Sequence, residues 1–421
     1  IYRPYKQKRK TRATVAVAKG LEPLADILLA QNITSGSSED LAIPFVDAEK
    51  GVESVKDAIA GAEDIIAERV SDDAELRKKL RRIYLKNGEI VTKLTKTEDD
   101  AAKTYEMYAD YSENVAEIKP HRILAINRGE SEGYLKVKVL IDDAFAVRVC
   151  EAFFVKNESV TTANVKNAVA DAYKRLIQPS IEREIRGLLT ENAQEQAIKM
   201  FDVNLRPLLM QPPVKDKVTM GFDPAYRTGC KIAVVDGTGK VLATTVVYPT
   251  PPQNKKEAAK AELKELIDKY HVDVISIGNG TASKESEIFV ADLVKDYGGR
   301  VVYAVVIEAG ASVYSGSPLA AKEFPNYDLT LRSAISIARR LQDPLAELIK
   351  IDPKAIGVGQ YQHDMPEARL DEVLNGVLED CVNSVGVDLN TASCALLSRV
   401  SGLNGSIANN IVAYREENCL R

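Results

Sequence analysis

Between Val218 and Tyr248 the apolar residues gather in three dense runs, 218–222, 231–235 and 241–247, rich in β-branched side chains and too short for helices. Asp236-Gly237-Thr238-Gly239-Lys240 joins the second run to the third and predicts a hairpin turn. Asp223 sits where the first run ends. Beyond Tyr248 the period changes. Residues 257–270 place Leu263, Leu266 and Ile267 on one helical face, and 272–277 form a near-continuous apolar run, as expected of a strand buried on both sides. Gly278-Asn279-Gly280 closes that run. A helix at 283–297, a strand at 300–307 and a helix at 331–341 follow, the last ending at Asp343-Pro344.

Helical spacing dominates on the N-terminal side, from Thr11 to Met210. Pro23 opens a helix carrying Leu24, Ile27 and Leu28, and residues 47–69 repeat apolar positions. Ser71-Asp72-Asp73 predicts the cap of a helix that runs through RKKLRRIYL to Asn87-Gly88. Its basic face, with Arg77, Lys78, Lys79, Arg81 and Arg82, reads as a solvated surface or a phosphate contact. An alternating strand is expected at 134–141, and helices at 161–187 and 190–209. Leu205-Arg206-Pro207 and Gln211-Pro212-Pro213 then predict a domain boundary. The domains expected are 1–210, 215–345 and 346–421.

Three antiparallel strands followed by βαβ units is the order of a ribonuclease H-like domain. In that fold a carboxylate ending the first strand commonly binds metal. A nuclease of this kind holds two metal ions about 4 Å apart between three or four carboxylates. Asp223 and Glu308 are the candidates as metal ligands and catalytic groups, with Asp343 or Asp328 as a third. The position after the 272–277 strand offers Gly and Asn instead of an acid. Asp223 has an alternative role in bonding its own turn amides. Arg227 and Thr228, in the next turn, are candidates to hold a phosphate or to form the turn with Gly229. Sugar kinases and actin-like ATPases share the strand order, but only one such half is present and no GxxxxGK[ST] loop occurs.

In the C-terminal segment a helix ends across Leu396–Val400, Ser401-Gly402-Leu403-Asn404-Gly405 turns, and Ser406 is expected to cap a helix over 407–417. This is a helix-hairpin-helix pattern. Its glycines let backbone approach a phosphate, and the following helix aims free N–H groups and its positive dipole end at it. Such contact is independent of base sequence. Gly402, Leu403, Asn404, Gly405 and Ser406 are the candidate contacts, with a helical hairpin packed on its neighbour as the alternative.

The net charge of -5 is unevenly spread: -1 over 1–214, +1 over 215–345 and -5 over 346–421. No domain is basic enough to bind nucleic acid by charge alone. A local exception is the first twelve residues, IYRPYKQKRKTR, where Arg3, Lys6, Lys8, Arg9, Lys10 and Arg12 interleave with Tyr2 and Tyr5 and no acid. This arm reads as a phosphate contact with stacking, or as a solvated segment. No apolar run approaches the ~20 residues of a membrane span. The five cysteines are scattered without CxxC spacing, which argues for a reducing compartment and against structural zinc.

The stretches YRPYKQKRKTRATVAVAKGLEPLAD, GFDPAYRTGCKIAVVD, EAGASVYSGS (308–317), RSAISIARRLQDPLAELIKIDPKAIGVGQYQHD (332–364) and SGLNGS resemble, in order and along almost the whole chain, the Tex family of bacterial transcription accessory proteins. The resemblance implies a multidomain, mainly α protein with one α/β domain: a YqgF/RuvC-like, ribonuclease H-like domain between a helical N-terminal region and a helix-hairpin-helix region. It further implies a C-terminal OB-fold RNA-binding domain, a likeness to a eukaryotic elongation factor that acts as a histone chaperone, and a role as a nucleic-acid-binding factor in transcription. The chain departs from the family pattern by starting after its usual N-terminal helices, by ending before a second hairpin and the OB-fold, and by carrying Ala225 where Gly is frequent. A piece of a longer protein is therefore expected.

These readings converge on a cytoplasmic, non-catalytic nucleic-acid-binding scaffold. A RuvC-like metal-dependent nuclease or resolvase, and a protein-interaction core for RNA polymerase or the ribosome, are the alternatives. No cofactor is expected except magnesium or manganese under the nuclease reading, and no membrane partner.

Overall fold

The computed structural model describes residues 10–95 and 100–417, which fall into two compact units, 1–195 and 196–421. Among the described residues no helix is long and apolar enough to cross a membrane.

The first unit is built around the helix Val55–Asp72. Ala58, Ala62, Ile65, Ile66, Ala67 and Val70 form its buried face. Its small residues let neighbours come close: a Cβ on Gly61 would lie 2.3 Å from a methyl carbon of Leu21. Ser54 caps this helix, and Asp73 caps the next, Ala74–Asn87, by accepting from the Leu76 N–H. Ser71 and Asp72, expected in that cap, belong to the preceding helix.

A three-stranded antiparallel sheet follows, with β1 (Glu89–Leu94) between β2 (Asp110–Asn114) and β3 (Leu135–Leu140). Only β3 was expected. Its partners escape a pattern search because β2 is a short polar edge strand, DYSEN, with no buried position.

Helix Gln178–Leu209 reaches to the boundary expected near 210. It runs through Pro207 without breaking, since in the last turn a missing N–H costs one bond. The change of unit comes earlier, at Glu195/Gln196. From Ile198 on, the buried side chains of this helix (Phe201, Leu205, Leu208 and Leu209) join the same cluster as Leu374, Leu378 and Val382.

In the second unit a five-stranded sheet runs β6-β5-β4-β7-β8: β4 (Thr219–Asp223), β5 (Cys230–Val235), β6 (Val241–Val247), β7 (Val274–Gly278) and β8 (Val302–Val306). The first three are antiparallel, and β4, β7 and β8 are parallel. Strand alternation gives each face its cover. Met220, Phe222, Ile232 and Val234 pack with Leu263, Ile267, Phe289 and Leu293 of helices Lys256–Tyr270 and Ser283–Lys295. Ala233 and Val235, of the opposite phase, pack with Ala334, Ile335 and Ala338 of helix Leu329–Gln342. Gly221 lets that helix cross β4 closely, since a Cβ there would lie 2.1 Å from the Ala334 carbonyl oxygen. A mainly helical chain with one mixed sheet of ribonuclease H-like order is the expected fold class.

Candidate functional site

Asp223 ends β4 in the middle of the sheet, paired across the ladder with Lys231 of β5. Glu308 arrives from beyond β8 and fills the space left by the glycines after β7. A Cβ on Gly278 would lie 2.3 Å from its Oε2, and one on Gly280 only 1.5 Å from its Oε1. The Glu308 N–H donates to Asn279 Oδ1 (3.0 Å), which fixes the loop beneath it. The Gly-Asn-Gly that seemed to lack an acid is thus the seat of an acid from the neighbouring strand.

Two buried cations share this place. The Lys231 ammonium donates to Thr228 Oγ1 (2.7 Å) and to the carbonyls of Thr228 and Gly229. Arg340 Nη1 donates to the carbonyls of Ile307 (2.7 Å) and Ala309 (2.8 Å), on either side of Glu308. Burial, with the nearby Glu308 charge, pushes the Asp223 carboxyl up to about 6; the Ser333 hydroxyl, Lys231 and Arg340 pull it the other way. Glu308 Oε2 and Arg340 Nε and Nη2 are buried with no hydrogen-bond partner in the protein.

The third carboxylate does not come. Asp343 is the N-cap of helix Pro344–Leu348, its Oδ1 accepting from the Ala346 N–H (3.0 Å). Asp328 caps helix Leu329–Gln342 and accepts from the Thr330 and Leu331 N–H groups, which hold its carboxyl below the usual range. Among the described residues no group of three or more His, Cys, Asp or Glu side chains is placed to hold a metal ion. Two carboxylates already faced by Lys231 and Arg340 do not fit a pair of divalent ions, which needs more anionic ligands and no fixed cations beside them.

Thr228 of the phosphate-holding pair spends its hydroxyl on Lys231, while Arg227 is exposed. Gly229, at φ +78°, would meet Tyr248 at 2.6 Å with a Cβ, so turn formation governs this segment.

The hairpin of the C-terminal segment lies elsewhere in the unit. Helix Cys394–Leu397 leads into the turn, and helix Gly405–Glu417 leaves it. Asn404, rather than Ser406, is the cap: its Oδ1 accepts from the Ile407 N–H (2.9 Å), and Ser406 falls in the first turn. An Asn outranks the following Ser because capping requires non-helical backbone, which ends at residue 404. Gly402 takes φ +84°, and a Cβ on Gly402 or Gly405 meets nothing within 4 Å. Leu403 anchors the turn on the core, while Gly402, Asn404, Gly405 and Ser406 are exposed. Helix Glu367–Val385 holds the turn: Asn383 Oδ1 accepts from the Ser401 N–H (2.9 Å) and its Nδ2 donates to the Arg399 carbonyl (3.1 Å).

Of the basic arm, Arg3, Lys6, Lys8 and Arg9 lie outside the described residues. Lys10 is exposed, and Arg12 opens helix Arg12–Ala18 and acts electrostatically on Asp64.

Sequence reasoning missed a buried charge network beside the sheet. Lys350 Nζ donates to Glu347 Oε2 and Glu323 Oε2, both 3.0 Å away, and Arg339 lies 3.6 Å from Glu347. Tyr314 donates its hydroxyl to Glu323. These groups knit the short helices after β8 to helix Leu329–Gln342. The only hint in the chain is the i,i+3 spacing of Glu347 and Lys350.

Three families match the chain. A Tex protein YqgF-like domain matches residues 217–342, a Tex central region-like segment 34–201, and a helix-hairpin-helix motif 382–419. The uncharacterized protein YdcI of Bacillus subtilis is 51% identical over 422 residues, 99% of this chain and 58% of that protein. The transcriptional accessory protein Tex of Neisseria gonorrhoeae is 43% identical over 425 residues, 99% of this chain and 55% of its own length. The human S1 RNA-binding domain-containing protein 1 is 41% identical over 435 residues, 99% and 43% respectively. The chain spans about half the length of these relatives. With the sheet, the central helical region and the hairpin in the same order, the chain belongs to the Tex family.

Proposed function

We propose that this chain is a nucleic-acid-binding part of a transcription accessory factor, touching phosphate at the hairpin 402–406 without regard to base sequence. The five-stranded sheet serves as a non-catalytic scaffold. One observation carries the reading: an exposed turn with open space around Gly402 and Gly405, held in shape by Asn383, feeding directly into a thirteen-residue helix. At that end the amides of Gly405 and Ser406 lie at exposed positions, and the helix dipole favours an anion. With a net charge of -5 over 346–421, backbone donors rather than side-chain charge must supply the attraction. The names of the relatives, a transcriptional accessory protein and an S1 RNA-binding protein, support the same direction. Two carboxylates faced by two cations support scaffold over nuclease.

The test is Gly405→Glu. Its side chain enters open space, and a carboxylate in the first turn favours the helix, so the fold survives. Fluorescence anisotropy with a labelled oligonucleotide should show affinity reduced about tenfold or more, because the new carboxylate repels the phosphate. Equal affinity in the folded variant removes the hairpin from the account.

A further inference from the structure

Helix Ala74–Asn87 carries six cations, Arg77, Lys78, Lys79, Arg81, Arg82 and Lys86, against one acid, Glu75. The fold uses two of them. Arg77 donates to the Ser71 carbonyl (3.2 Å) and to Ser180 Oγ (2.8 Å), and Arg81 pairs with Glu184. The other four are exposed and, with Glu75 and with Phe153 of helix Asp143–Phe154, line an open cleft of about 440 Å³. Glu75 reaches Lys78 only at 3.9 Å, and Lys79 Nζ stands 5.3 Å from the centre of the Phe153 ring.

The spacing makes a stripe. Positions 78, 82 and 86 follow one another at i,i+4 along about 12 Å of helix. Like charges so placed repel and work against the helix that bears them. An anion bound in the cleft would relieve that repulsion. A row of cations beside a half-buried aromatic ring is the pairing by which single strands are held: charge follows the backbone and the ring takes a base.

We infer that this cleft binds a single-stranded nucleic acid, with Lys78, Lys79, Arg82 and Lys86 on successive phosphates and Phe153 under a base. The site lies in the first unit and does not depend on the hairpin at 402–406.

The test is anisotropy of a fluorescein-labelled oligouridine against the full chain at several salt concentrations. The variants are Lys79→Ala/Arg82→Ala/Lys86→Ala and, separately, Phe153→Leu. The triple variant removes exposed charges only. It should lower the slope of log affinity against log salt by about 2, at roughly 0.7 per phosphate contact on a single strand. Phe153→Leu keeps apolar bulk but loses the flat ring, and should weaken binding about fivefold or more with the slope unchanged. Gly405→Glu should leave both effects in place, so the two sites fail or succeed separately. An unchanged slope in the triple variant, or no binding by the unaltered chain, overturns the proposal. So does full binding by Phe153→Leu together with displacement by polyglutamate, which would mark a cleft for acidic peptides.

Discussion

Replacing Asp223 with Asn tests whether burial and Glu308 outweigh the two cations beside this carboxylate. The folded carboxyl, at about 6, lies above its ordinary value of 3.8. Folding therefore favours the protonated form, and ionisation weighs against the native state. The penalty is absent below about pH 4, grows as pH rises through 4 to 6, and is complete above about pH 7. A displacement of roughly two units corresponds to about 3 kcal/mol. Asn cannot ionise and keeps the shape, so Asp223→Asn should stabilise the sheet by about 2–3 kcal/mol at pH 8 and leave it nearly unchanged at pH 4. Global melting of a chain with two units does not report this cleanly. Hydrogen exchange at the amides of 219–223 and 230–235 reads the opening of the sheet itself. Slower exchange in the variant at pH 8, with the difference vanishing toward pH 4, is the expected result. Equal or faster exchange at pH 8 would refute the reasoning. It would mean that Lys231 and Arg340 stabilise the ionised Asp223 more than burial and Glu308 oppose it.

Two further changes test the packing around this place. Lys350→Met should destabilise the second unit by about 3 kcal/mol, because it leaves the buried carboxylate of Glu347 with only Arg339 at 3.6 Å, as urea unfolding followed by circular dichroism would show. That loss should shrink on adding Glu347→Gln, which removes the buried charge that Lys350 no longer pairs. Gly221→Ala should cost about 1–3 kcal/mol, since the new Cβ meets helix backbone that must move; a thermal midpoint equal to that of the unaltered chain contradicts the close crossing.

Much of the second unit was legible in the chain because its strands are apolar on both faces and its turns carry Asp-Gly and Gly-Asn-Gly. The three β-branched runs, the buried 272–277 segment and the change to helical period after Tyr248 each correspond to an element within one to two residues at most boundaries. The site was only partly legible. Asp223 and Glu308 come together as the strand order implies, but Asp343 looked like a ligand because sequence does not distinguish a carboxylate aimed into a crevice from one that caps a helix. The cations were invisible for a similar reason. Lys231 looks like a polar break in an apolar strand and Arg340 like half of a surface pair, Arg339-Arg340, yet the fold buries both. The hairpin was placed correctly while its cap was shifted by two residues, because Asn404 and Ser406 are both good caps and only backbone conformation separates them.

The central claim is that the hairpin amides meet phosphate. Hydrogen exchange along residues 401–408, with and without a saturating oligonucleotide, tests it most directly. The account predicts slowed exchange at Gly405, Ser406 and their neighbours on binding, with strands β4 and β5 unaffected. Saturated binding with unchanged exchange over 401–408 would contradict it and place the contact elsewhere.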